Sequence, residues 1–113
     1  MKLHLARNTK LLIAEDQVLA KSQMHYALEQ LGFKNMNYVD RPSHALSALQ
    51  EHDYDAIICS YNLRSEQGGY FLLEQLNETQ SLPLTSAFIF TSADTSAEVV
   101  HAIIELQPDE FIA

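Results

Sequence analysis

The sequence predicts an α/β fold, a parallel β-sheet with helices on both faces, and three observations carry that prediction. Short apolar runs recur along the chain, and their residues are consecutive rather than alternating, as in strands covered on both sides. Between them lie longer stretches whose apolar residues return every three or four positions, the spacing of one helix face. The two patterns follow one another as βαβαβαβαβ, and right-handed crossovers turn that order into a parallel sheet. At 113 residues, with no Pro/Gly/Ser linker, repeat or low-complexity tract, the chain reads as one domain.

The elements can be justified in turn. Leu11-Leu12-Ile13-Ala14 is the first strand. Gln17 to Leu31 follows as a helix, with Ala20, Met24, Ala27, Leu28 and Leu31 at helical spacing and Gly32 where a C-terminal cap belongs. Met36-Asn37-Tyr38-Val39 is the second strand. Asp40-Arg41-Pro42-Ser43 opens the second helix with an acidic or hydroxyl cap and an early proline, ahead of Ala45, Leu46, Ala48 and Leu49. Ala56-Ile57-Ile58-Cys59 is the third strand and Gly69 to Glu78 the third helix. Ala87-Phe88-Ile89-Phe90 is the fourth strand, Ser96 to Leu106 the fourth helix, and Phe111-Ile112-Ala113 the fifth strand. A chain that stops at its fifth strand reads as a fragment, whose closing helix either follows or is replaced by a partner. One sheet face, built partly from Ile13, Ile58 and Phe90, is then expected to lack cover. Apolar patches beyond a few hundred Å² usually find partners, so self-association is expected.

Composition excludes several classes. Seven Lys+Arg stand against 15 Asp+Glu, a formal charge of −8. The basic residues never cluster, which argues against a nucleic-acid or anionic-membrane surface. The acidic surplus reads as a solvated face that keeps the domain soluble. The single cysteine, Cys59, cannot form an internal disulfide and lies in an apolar run, where it reads as packing; a reducing, cytoplasmic setting follows. No apolar run approaches the roughly 18 residues of a bilayer span. The stretch Met1 to Arg7 is too short and polar for a secretory signal.

In an open α/β sheet, ligands bind beyond the carboxyl ends of the strands. Glu15-Asp16 follows the first strand, Ser60-Tyr61-Asn62 the third and Thr91-Ser92 the fourth. Two adjacent carboxylates at such an edge suit a hard divalent cation such as Mg²⁺. Equally, Glu15 and Asp16 could cap the helix that follows, complementing its positive end. Other groups carry less. Ser60 lacks the Gly-x-Ser-x-Gly elbow of a hydrolase nucleophile, and no triad order is visible. His4, His25, His44, His52 and His101 show no i,i+4 ligand pairing or cysteine partner. Gly68-Gly69 reads as a turn before a helix, since no Gly-Lys-Ser/Thr follows to cradle a phosphate.

The segment Leu11 to Asp16 resembles the opening strand and acidic pair of bacterial response-regulator receiver domains. Asp55 to Leu63 resembles their third strand, with Gly68 eight residues past Ser60 where the family keeps a glycine. Phe88-Ile89-Phe90-Thr91-Ser92 is similar to the fourth strand with its switch hydroxyl, and Pro108 to Ala113 to the fifth. The resemblance implies a flavodoxin-like, doubly wound sheet of order 2-1-3-4-5 without its final helix, with residues 10–113 as the receiver-like domain and 1–9 as an N-terminal extension. It also implies phosphoryl transfer from a kinase phosphohistidine to an aspartate ending the third strand. By position, Glu15 and Asp16 become the Mg²⁺ pair, Asn62 supplies a backbone carbonyl, Thr91 is the switch hydroxyl and Phe111 the switch aromatic.

The chain departs from that pattern where the chemistry is done. The acceptor position holds Ser60, and a neutral hydroxyl cannot form an acyl phosphate. Its substitution also removes one anion from the metal site, a loss of about 4 kcal/mol per unit-charge pair at about 4 Å and an effective dielectric near 20. The family's lysine after the fifth strand falls beyond Ala113, and Arg64 stands where a proline is usual. The expectation is a degenerate, cytoplasmic receiver, not an enzyme, binding Mg²⁺ weakly and acting by protein–protein contact. Its expected partners are an output region after Ala113 and a histidine kinase or phosphotransfer protein, with no nucleic acid or membrane. A covalent switch phosphorylated by another route at Ser60 or a nearby aspartate is the alternative, and a small hydrolase using Ser60 a more distant one.

Overall fold

The structure is a computed structural model and describes residues 8–60, 63, 68–79, 87–91 and 110–112. In chain order these form β1 (Lys10–Ala14), α1 (Val18–Gln30), β2 (Asn35–Val39), α2 (Pro42–Glu51), β3 (Ala56–Ser60), α3 (Gly68–Thr79), β4 (Ala87–Thr91) and β5 (Glu110–Ile112). The strands make one parallel sheet in the order β2-β1-β3-β4-β5. Fold class and strand order are those the sequence predicts. The expected helix at 96–106 lies outside the described residues, as does most of the N-terminal extension.

Register decides what each face carries. Leu12 sits opposite Ile57, Ile57 opposite Phe88, and Cys59 opposite Phe90, so these residues share one face of the sheet. Together with Ala14 they join Ala45 of α2 and Leu72, Leu73 and Leu76 of α3 in the main core. The Phe88 and Phe90 rings meet edge to face at 5.1 Å, the arrangement that ring quadrupoles favour. Each large side chain buried there contributes about 1.5–3 kcal/mol by leaving water.

The opposite face carries Leu11 and Ile13, both buried, and the half-buried Ile58 and Ile89. Two expectations need correction here. Phe90 does not belong with Ile13 and Ile58; two-residue periodicity puts it on the face covered by α2 and α3. Ile13 is fully buried, and among the described residues the exposed large apolar side chains lie on α1 or at its end. No residue of that helix is buried, and its Val18 and Leu19 are 76% and 70% exposed. Of the expected apolar stripe, Ala20, Met24 and Leu28 are half-buried while Ala27 and Leu31 are exposed.

Helix ends follow local chemistry. Gly32 adopts a positive φ of 98°, a region a Cβ would disfavour. Its N–H reaches Glu29 C=O at 3.0 Å, and the Phe33 N–H reaches Leu28 C=O at 3.1 Å. This pair of bonds is the Schellman stop that Gly32 suggests. The start of α2 differs from expectation. Its N-cap is Arg41, with no side-chain cap bond, and Pro42 opens the first turn. Asp40 turns instead to side chains, accepting from Arg41 Nε at 3.1 Å and pairing with His44 Nδ1 at 3.4 Å.

Candidate functional site at the carboxyl edge of the sheet

Three chain segments meet where β1, β3 and β4 end. The β1–β2 ladder continues one residue past its last pair, the Glu15 N–H donating to the Val39 carbonyl at 3.0 Å. Ala14 is in register with Cys59, so Glu15 and Ser60 are the next positions on neighbouring strands. Ser60 is in register with Thr91. Glu15, Ser60 and Thr91 therefore share one edge, as expected from the sequence. Phe111 lies opposite Phe90 in the β4–β5 ladder. Asn62 and Arg64 lie outside the described residues.

Glu15 is 6% exposed and is the one buried charged residue among those described. Its Oε2 accepts the Asp16 N–H at 3.0 Å and the Gln17 N–H at 3.2 Å. These are backbone donors entering α1, whose N-cap, Gln17, makes no side-chain cap bond. Glu15 thus satisfies the helix start and complements its positive end. Half-buried Asp16 holds its Oδ1 out of solvent contact. Beneath the edge, the Cys59 thiol faces the Ser60 carbonyl at 3.4 Å. Burial, and secondarily the Glu15 charge, push the Cys59 pKa far above the ordinary thiol range, so this sulfur is packing and not a nucleophile.

A hard cation needs anionic oxygens that converge on it. Two carboxylates stand at this edge, one of them already accepting two backbone N–H groups, and the third strand end offers the neutral Ser60. Among the described residues no three His, Cys, Asp or Glu side chains converge. This donor set does not fit a strong Mg²⁺ site.

Sequence reasoning missed two clusters. Asp40, beside Val39 on the same edge, is held below the usual carboxylate range by its hydrogen bond from Arg41, and His44 lies four residues on. On the face of the sheet under α1, His25 Nδ1 contacts the Tyr38 hydroxyl, and its Nε2 lies 3.4 Å from Glu29 Oε2. Burial, and then the Glu29 charge, raise the Tyr38 pKa. Both are histidine–carboxylate pairs at i,i+4, which corrects the expectation that no histidine has a pairing at that spacing.

Residues 11–113 match the family described as the response regulator receiver domain. The chain belongs to that family. The receiver is 27% identical over 109 residues to a probable chemotaxis protein CheY from Rhizobium etli, covering 96% of this chain and 83% of that one. It is 32% identical over 88 residues to the sensory transduction protein LytR of Staphylococcus saprophyticus, covering 76% of this chain and 33% of LytR. The receiver thus spans about a third of the LytR length. Among solved structures, a CheY-like receiver domain from Methylobacillus flagellatus superimposes with a TM-score of 0.69 at 30% identity, covering 92% of this chain and 84% of that one. The receiver domain of an Arabidopsis thaliana histidine kinase, solved with Mg²⁺ and BeF₃⁻, gives a TM-score of 0.77 at 17% identity and shares the fold, covering 95% and 81%. This is a response-regulator receiver domain of two-component signalling, and no helix among the described residues is long and apolar enough to cross a membrane.

Proposed function

We propose that this receiver signals by protein–protein contact without phosphorylation at the end of β3. The observation that carries the reading is Ser60 at the carboxyl end of β3, between the ends of β1 and β4, where the family's acceptor aspartate belongs. A hydroxyl there has no carboxylate to form an acyl phosphate. The engagement of Glu15 with backbone N–H groups supports the same reading, because it ties up an oxygen of the metal pair. In this reading Mg²⁺ binds weakly through Glu15, Asp16 and the Asn62 carbonyl, and Thr91 and Phe111 are inherited switch positions. The module works in the cytoplasm beside an output region following Ala113, and a histidine kinase or phosphotransfer protein is a binding partner rather than a phosphoryl donor. The length of LytR beyond the matched third supports further sequence of that kind.

Titration with Mg²⁺ and BeF₃⁻, followed by amide chemical shifts, tests the reading. The Glu15, Ser60 and Thr91 amides should show no saturable change on adding BeF₃⁻ beyond the weak response to Mg²⁺ alone. Saturating shifts at all three would show an intact phosphoryl pocket and overturn it.

A further inference from the structure

We propose that the outer edge of β2 pairs with β2 of a second copy of this chain, antiparallel about Asn37. The inference does not depend on the Ser60 reading. Among the described residues β2 is one of the sheet's two edge strands and pairs only with β1. The Val39 carbonyl accepts from Glu15, so Val39, Asn37 and Asn35 turn their backbone groups toward β1. By two-residue alternation, Met36 and Tyr38 direct theirs outward. Edge strands are normally guarded by charged residues, proline or a bulge. The strand Asn-Met-Asn-Tyr-Val has none of these, and its register with β1 is unbroken from Asn35 to Val39. Asn35 and Asn37 are exposed.

Geometry and charge together select one register. A twofold antiparallel pair must set outward-directed residues opposite one another. Centred on Asn37, Met36 faces Tyr38 of the second copy in both directions, each pair exchanging two backbone hydrogen bonds. The next outward pair is then Lys34 opposite Asp40, at both ends. Centring on Met36 would set Lys34 against Tyr38, and centring on Tyr38 would set Asp40 against Met36; neither joins opposite charges. On a chain of net charge −8, the Asn37 register is the one in which this edge meets itself with complementary ends. Lys34 and Asp40 are exposed, and the contacts of Asp40 with Arg41 and His44 both use Oδ1.

Sedimentation of the chain, with Lys34→Asp, Asp40→Lys and the double exchange, tests the pairing. Each single change should weaken a concentration-dependent dimer about tenfold or more by opposing like charges, and the double exchange should restore it. Met36→Pro removes an outward N–H without touching the β1 ladder and should abolish the dimer while leaving the monomer folded. Amide exchange at Met36 and Tyr38 should slow as concentration rises. A chain that stays monomeric at millimolar concentration overturns the proposal. So does a dimer indifferent to both the charge changes and Met36→Pro, which would place the contact elsewhere, such as the exposed Val18 and Leu19 of α1.

Discussion

Replacing Ser60 with aspartate restores a third carboxylate at the edge, and the structure sets its cost. Register places Glu15 and Ser60 on adjacent strands, which lie about 4.8 Å apart. At that distance and an effective dielectric near 20, two like charges repel by about 3.5 kcal/mol. Ser60 is half-buried, so solvent screening lowers the net effect to about 1–3 kcal/mol, in the range of an ordinary destabilising substitution. The introduced acid has its folded pKa raised above the unfolded value. Its penalty is therefore absent at low pH and appears as pH rises through the unfolded pKa near 4. At neutral pH, Ser60→Asp should melt about 4–15 °C below wild type. Mg²⁺ should then recover about 2.7 kcal/mol at a hundred times its dissociation constant by mass action. Wild type should respond much less. Calorimetric melts with and without about 10 mM Mg²⁺, a saturating excess by intent, give all four values. Equal Mg²⁺ shifts in the two proteins would mean that position 60 does not face Glu15 and Asp16, and would refute the placement of the site.

Three further outcomes follow from packing and ionisation. Leu72→Ala, at a side chain with no exposure, should cost about 2–5 kcal/mol in urea unfolding, whereas Leu19→Ser on exposed α1 should stay within about 0.5 kcal/mol. Glu15→Ala strips Oε2 from the Asp16 and Gln17 N–H groups; a loss of about 1–2 kcal/mol, with weaker helical circular dichroism, is expected. Cys59 keeps its proton in the folded chain at pH values where the unfolded thiol ionises. The folded state then binds more protons, and stability should fall above about pH 8.5 by up to about 1.4 kcal/mol per pH unit from this group. Cys59→Ala should flatten that slope in urea melts from pH 8 to 10.

Legibility in the sequence tracked how much of an element's environment its own residues determine. β1, β3 and β4 were readable because Leu12, Ile57 and Phe88 sit in unbroken apolar runs that only a doubly covered strand tolerates. Gly32 announced its helix stop through a backbone conformation that glycine adopts freely. The Glu15, Ser60 and Thr91 edge was legible because strand ends converge wherever a parallel sheet forms. What failed depended on neighbours. Ala27 and Leu31 have the spacing of a buried stripe, but burial also needs a surface to pack on, and among the described residues both stay exposed. Asp40 has cap chemistry, yet Arg41 and His44 compete for its carboxylate. Phe90 was assigned to the wrong face because a continuous apolar run hides the two-residue alternation, which only the register with Cys59 reveals.

The central claim, that this receiver takes no phosphoryl group at the carboxyl edge of its sheet, is tested most directly by intact mass. The chain is incubated with acetyl phosphate and excess Mg²⁺ and weighed before and after. The account predicts an unchanged mass. A stoichiometric phosphate adduct that is lost at alkaline pH, the behaviour of an acyl phosphate, would contradict it and assign the acceptor to another aspartate at this edge.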